Sequence, residues 1–182
     1  MSKTRYFIIS GLIVAAALSR LVKHPDNFAP IMAIALFGGA CFPNKIWGFL
    51  APLTAMVLSD FFIGFHKEVP CVYGAFALVV CLGFLLQNRR TFWNIAGATL
   101  AGSVLFFLIT NFGVWLLRPE NQYGKLEYEF SWAGLMECYY RAIPFFRNSL
   151  LGDAVYVTVL FGSLALIEHL APAEKPVSEP SV

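Results

Sequence analysis

A small set of polar side chains lies inside or beside long apolar stretches of this sequence. Carboxylates, amides, an imidazole and an indole N–H supply the donors and acceptors that a small ligand needs. Ionisable groups at membrane depth cost about 2.5–3.5 kcal/mol on insertion scales and usually face a bundle interior or a water-filled cavity. Asp60 and Asp153 are therefore the leading functional candidates. The full candidate ligand-binding set is Asn27, Asp60, His66, Asn111, Trp115, Asn148 and Asp153.

The same residues allow other interpretations. Asp60, His66 and Asp153 could be acid, base or metal-binding groups of a membrane-embedded enzyme, which requires titratable groups within hydrogen-bond reach of one another. Alternatively, the asparagines could join helices by hydrogen bonds in a scaffold that binds no ligand. The sequence contains no GxSxG, HExxH or GxxxxGK[ST] motif. We therefore expect a protein that is not an enzyme and that holds no metal and no cofactor.

The overall composition indicates a lipid environment. Hydrophobic residues make up 58% of the 182-residue chain and charged residues only 13%, about half the usual charged share of soluble domains. A soluble domain of this size has too little interior to bury that much apolar surface. The net charge of +2 and the lack of a basic stripe argue against nucleic-acid binding. The four cysteines have no metal-ligand spacing and are interpreted as small hydrophobic residues.

The apolar residues are grouped into runs whose lengths predict transmembrane helices, since a bilayer core needs about 20 residues. The six runs are residues 6–22, 30–42, 46–64, 69–86, 92–117 and 148–170. The second is short and could be a thin, tilted or re-entrant segment, and the first could instead be a cleaved signal peptide. Residues 131–147 have the pattern of an interfacial amphipathic helix before the last span.

These runs predict an all-α integral membrane protein in which a six-helix transmembrane bundle occupies residues 1–171. The tail, residues 172–182, has the composition of a disordered segment. The pair Arg89 and Arg90 gives the clearest topology signal and places both termini in the cytoplasm. We therefore expect a multi-pass protein of the bacterial cytoplasmic (inner) membrane.

The polar candidates fall at one level of this bundle. Asp60 ends the third run, Asn111 and Trp115 lie in the last third of the fifth, and Asp153 lies in the first turns of the sixth. Because the fourth and fifth runs cross in opposite directions, these positions lie near the same membrane face. Asn148 and His66 share this level, and Asn27 joins them if the second run spans. A polar pocket in the outer half of the bundle is the prediction.

Small residues on the first run form a ridge that could contact a partner helix. Gly11, Ala15 and Ser19 recur every four residues, a spacing that allows helix backbones to approach closely. Contact with another subunit and packing within the chain are both open at this point.

Several motifs carry a resemblance to known proteins. Residues 24–30 (HPDNFAP), 58–60 (LSD), 110–115 (TNFGVW) and 151–153 (LGD) resemble an uncharacterised bacterial membrane family over roughly residues 20–162. In size and helix layout the chain is also similar to the substrate-binding S components of energy-coupling-factor transporters. That resemblance implies a pocket in the outer half closed by residues 20–29. It also implies a first helix that contacts a transmembrane coupling subunit with its ATPases, and uptake of a small molecule.

Overall fold

The structure is a computed structural model that describes residues 3–65, 67–117 and 126–170. The regular structure in these ranges consists of six helices, so the all-α prediction is confirmed for them. The tail predicted to be disordered, residues 172–182, lies outside the described residues. The helices are α1 Lys3–Ser19, α2 Ile31–Cys41, α3 Lys45–Ile63, α4 Val69–Phe84, α5 Phe92–Leu117 and α6 Trp132–Leu170.

Three of these helices are long and apolar enough to cross a membrane. They are α3 with 19 residues, α5 with 26 and α6 with 39. The other three are shorter: α1 has 17 residues, α2 has 11 and α4 has 16. The described helices therefore support three candidate spans by length and composition, where the apolar runs predict six.

Helix α2 lies at the centre of the bundle. It packs against each of the other five helices, and every one of its residues except Ile31 is buried. A helix that is apolar on all sides is stable only when it is enclosed, which explains why this run carries no polar stripe. The second run thus forms a short core helix that the other helices surround.

Glycines allow the close packing around α2. A Cβ atom on Gly39 would lie 2.2 Å from the carbonyl oxygen of Val80, and one on Gly83 would lie 2.5 Å from that of Leu36. Neither space admits a methyl group, so α2 and α4 touch backbone to backbone. The α2 carboxyl end is closed by Gln87, whose side-chain amide donates to the carbonyl oxygens of Gly39 (3.1 Å) and Phe42 (2.7 Å).

The predicted interfacial helix over residues 131–147 is wrong as a separate element. It is continuous with the last apolar run in α6, which begins after Ser131, whose hydroxyl accepts from the Gly134 N–H at 3.1 Å, as an N-cap does. Pro144 lies inside the helix and removes one backbone hydrogen bond, a loss that packed apolar helices tolerate. At about 1.5 Å per residue α6 is about 58 Å long, nearly twice the roughly 30 Å hydrocarbon core.

Candidate functional site

A cavity of about 370 Å³ opens at one end of the bundle. It lies where α1 and α3 end and where α2 and α4 begin, and the middle portions of α5 and α6 form the remaining wall. Its walls combine apolar and aromatic side chains with a polar group. The polar group includes Arg20, Asn27, Asp60, Ser103, Asn111 and Asp153.

The helical repeat explains how α5 and α6 contribute to this wall. Ser103, Phe107, Asn111 and their neighbours at positions 106, 110 and 114 line the cavity and are separated by steps of three or four residues. Positions 142, 145, 149 and 153 of α6 follow the same rule. Such steps place side chains on one helix face, so a single stripe from each helix reaches the cavity.

Asp60 is part of a buried ion-pair network. A guanidinium nitrogen of Arg20 lies 2.6 Å from Asp60 Oδ1, and the Tyr73 hydroxyl donates to Asp60 Oδ2 at 2.7 Å. Arg20 also donates to the Ser59 hydroxyl. Both charged side chains are more than nine-tenths buried, and a buried pair is stable only when further hydrogen bonds satisfy it in this way. The network joins the ends of α1 and α3 to α4.

Asp153 has a different environment. It is 4% exposed, and its Oδ2 lies 2.7 Å from the Ser103 hydroxyl. The same hydroxyl lies 2.9 Å from the carbonyl oxygen of Thr99, and a serine has only one hydrogen to donate. In the part of the chain that the structure describes, no cationic side chain pairs with Asp153.

The segment between α1 and α2 covers the α6 side of the cavity. Phe28 packs against Tyr156 with ring centroids 5.9 Å apart, and a Cβ on Gly152 would lie 3.2 Å from Phe28 Cα. The Asn148 amide donates to the carbonyl oxygen of Asp26 at 3.1 Å. Next to it Asn27 has a left-handed backbone with φ of 60°, which asparagine adopts more readily than most residues.

Four of the seven candidate residues line the cavity: Asn27, Asp60, Asn111 and Asp153. Two others lie beyond its lining. Asn148 instead binds the backbone of the covering segment, and Trp115 donates to the Glu129 carbonyl oxygen at 3.1 Å while its ring stacks on Phe130. Helical position alone placed these two at the right level but could not fix the direction of their side chains. His66 lies outside the described residues.

Sequence reasoning missed Arg20, Tyr73 and Ser103. In the sequence, Arg20 has the position of a loop cation. An arginine at the end of an apolar run needs a carboxylate partner, however, and Asp60 is a carboxylate at the same level. Ser103 lies eight residues before Asn111, on the same helix face, which was a usable signal. Nothing in the sequence distinguished Tyr73 from other aromatic residues.

The three residues of the ridge predicted on α1 do not share one environment. Gly11 and Ala15 are exposed, and a Cβ on Gly11 would meet nothing within 4 Å. Ser19 turns inward, where its hydroxyl lies 3.0 Å from the Tyr156 hydroxyl. Only the first two residues therefore lie on a surface that a partner helix could reach.

Comparisons with known proteins give one result. Neither the curated proteins nor the solved structures contain a significant match to the chain. A model of a family of unknown function, DUF6580, matches residues 1–174, and the chain therefore belongs to that family.

Proposed function

We propose that this protein is a multi-pass membrane protein that binds a small molecule in the polar cavity, as a component of an uptake transporter. The observation that carries the proposal is the cavity itself, where polar side chains of α3, α5, α6 and the α1–α2 segment meet. Three of them, Asp60, Ser103 and Asp153, are buried. Its volume of about 370 Å³ falls within the roughly 300–1,000 Å³ of small-molecule sites.

The exposed surface supports a membrane location. Large apolar side chains on five helices, all except α2, are open to the surroundings, including Phe7 (76% exposed), Phe61 (75%) and Trp93 (79%). Soluble monomers rarely expose contiguous apolar surface on this scale. Lipid is the medium in which such a surface costs nothing.

The uptake role and the likeness to energy-coupling-factor S components are supported by layout. The α1–α2 segment, residues 20–30, covers the cavity, and α1 presents Gly11 and Ala15 on an exposed surface that a coupling subunit could contact. The sequence has no phosphate-binding loop, so ATP hydrolysis would come from a partner.

A thermal-shift screen on detergent-purified protein tests the proposal. Vitamins, nucleobases, amines, organic acids and divalent metals are each added, and at least one class is expected to raise the unfolding temperature. Asn111→Ala is expected to weaken that ligand about tenfold, since one lost hydrogen bond is worth about 0.5–1.5 kcal/mol.

Asn88→Ala is the matched control, because Asn88 is exposed at the opposite end of the bundle. It should bind the ligand as the wild type does. A broad panel without any stabilising compound, or equal effects of the two substitutions, would contradict a ligand site in this cavity.

A further inference from the structure

The charged lining of the cavity is predominantly acidic. Arg20 is its one basic residue among the described lining residues, whereas Asp60, Glu68 and Asp153 are acidic. Arg20 is already bound to Asp60 at 2.6 Å. No other basic side chain of the described lining is therefore left to compensate Asp153.

The Asp153 carboxyl group is poorly compensated by its surroundings. Its single hydrogen-bond partner in the described residues is the Ser103 hydroxyl, whose one hydrogen is also within reach of the Thr99 carbonyl oxygen. No described group binds Oδ1, and the residue lines the cavity while being 4% exposed. A buried charge without a partner costs several kcal/mol, so a cation that enters the cavity would gain most at this position.

Aromatic rings lie on the same walls. Phe106 and Phe107 on α5 and Phe145 on α6 line the cavity together with Asp153. The face of an aromatic ring attracts a cation within about 6 Å of its centroid. The Asn111 amide donates to its own helix at the Phe107 carbonyl oxygen, 2.8 Å away, so its side-chain oxygen remains an acceptor for a ligand N–H.

The donor set disfavours a metal ion. Among the described residues no group of three or more histidine, cysteine, aspartate or glutamate side chains is placed to hold one. One carboxylate beside phenyl rings and an amide oxygen instead matches an organic ammonium group attached to an apolar body. The surroundings of Asp153 therefore favour an organic cation over a bare ion.

We propose that the ligand of this cavity is a small organic cation whose protonated amine binds the Asp153 carboxylate while its apolar body packs against Phe106, Phe107 and Phe145. This rests on the proposed function and specifies its ligand class. Asp153 is a binding residue in this proposal, and no covalent step is involved.

The test compares charged and uncharged probes of the same shape. The unfolding temperature of the purified full-length protein is measured with 2-phenylethylamine, tyramine and cyclohexylmethylamine, and with 2-phenylethanol, 4-(2-hydroxyethyl)phenol and cyclohexylmethanol. At least one amine is expected to stabilise the protein at a concentration at least tenfold below that of its alcohol. This comparison needs no mutant and stands even if the variants fold poorly.

Asp153→Asn, which keeps the shape and removes the charge, is expected to abolish the preference for the amine. Glu137→Gln is the matched control, because it makes the same change on the same helix at an exposed residue paired with Arg141. It should keep the preference, and Asp153→Glu should restore part of it relative to Asp153→Asn.

The outcomes separate this inference from the proposed function. Stabilisation by neutral or anionic compounds alone, or equally by amine and alcohol, overturns the cationic ligand and leaves a binding cavity. Stabilisation by sodium chloride but not by choline chloride or any amine overturns it in favour of an inorganic ion. Absence of stabilisation by every compound in the wider screen overturns both proposals.

Discussion

The two buried aspartates show how one residue type takes two roles in the same cavity. Asp60 has an arginine, a tyrosine hydroxyl and a neighbouring serine around it, and its charge is compensated inside the protein. Asp153 has one serine. The first arrangement is expected to stabilise the junction of α1, α3 and α4, whereas the second leaves a carboxyl group for a ligand.

The ion pair gives a prediction about stability. Arg20→Met leaves Asp60 buried without its cation and is expected to lower the free energy of unfolding by about 3–5 kcal/mol. Arg141→Met breaks an exposed pair on α6 and should cost at most about 1 kcal/mol. Unfolding in detergent, followed by circular dichroism, measures both values.

A charge-removing double variant provides the internal check. Replacing Asp60 by Asn in the Arg20→Met background removes the uncompensated carboxylate and keeps an acceptor for the Tyr73 hydroxyl. It should therefore recover part of the lost stability. Equal losses for Arg20→Met and Arg141→Met would mean that the buried pair contributes no more than a surface pair.

At the scale of the helices, the arrangement depends on how closely α2 can be enclosed. Gly38 lies against the Pro52 ring of α3, and Gly39 and Gly83 bring α2 and α4 into backbone contact. Small residues at such contacts let helix backbones approach closely. The short central helix thereby positions Met32 and the start of α2 at the cavity.

A methyl group at the α2–α4 contact tests this packing. Gly39→Ala must push apart two backbones, and overpacking of this kind costs about 1–3 kcal/mol or more. Gly97→Ala is the control, since a Cβ there would meet nothing within 4 Å. It should be neutral or slightly stabilising, because alanine favours a helix over glycine by about 1 kcal/mol. The two unfolding temperatures in detergent are compared, and similar values would refute the close contact.

The carboxyl end of α2 gives a second prediction. Gln87→Met keeps the length of the side chain but removes the amide that binds the Gly39 and Phe42 carbonyl oxygens. Leaving buried acceptors without a donor costs about 1–3 kcal/mol, so the unfolding temperature should fall. Gln87→Glu also lacks the amide donor and should fall as well; a fully stable Gln87→Glu would show that water or another donor satisfies these carbonyls.

At the scale of the whole molecule, the α1–α2 segment and α6 form one side of the site. Gly152 admits Phe28 beside α6, and Asn148 holds the Asp26 carbonyl oxygen. This contact joins residues that are more than a hundred positions apart. The cavity is covered on the α6 side because of this contact.

Displacing the α1–α2 segment from α6 should make the backbone of this segment accessible to a protease. Gly152→Leu places a side chain where a Cβ already approaches Phe28 Cα to 3.2 Å, so trypsin is expected to cleave after Lys23 several-fold faster than in the wild type. Gly162→Leu is the control on the same helix, where a Cβ meets nothing within 4 Å. Equal cleavage rates in the two variants would show that the segment does not depend on this contact.

The proposed topology makes a further prediction. The 26 residues of α5 extend about 39 Å, which is enough to cross the roughly 30 Å hydrocarbon core of a bilayer. Arg89, before α5, and Glu129, after it, should therefore lie on opposite sides of the membrane. In a variant without the native cysteines, Glu129→Cys should react with a membrane-impermeant maleimide in intact cells. Arg89→Cys should react only after permeabilisation, and labelling of both in intact cells would exclude a crossing by α5.

Much of the architecture was accessible from the sequence, because apolar run length and helical period are local properties. They determined the all-α class and the approximate bounds of α1 to α5. The motifs indicated an uncharacterised family, which the family match confirms. The level of Asp60, Asn111 and Asp153 followed from alternating chain direction, and the structure brings all three to one cavity.

Other features depended on contacts between distant residues. Only the tertiary structure showed that α2 is enclosed, that the amphipathic segment continues into α6, that Trp115 and Asn148 bind backbone, and that Arg20 belongs to Asp60. The physical reason is that a helical sequence specifies which residues share one face of the helix and how far along the helix each residue lies. The direction of that face, and the partner of each buried charge, are determined by how the helices pack around one another.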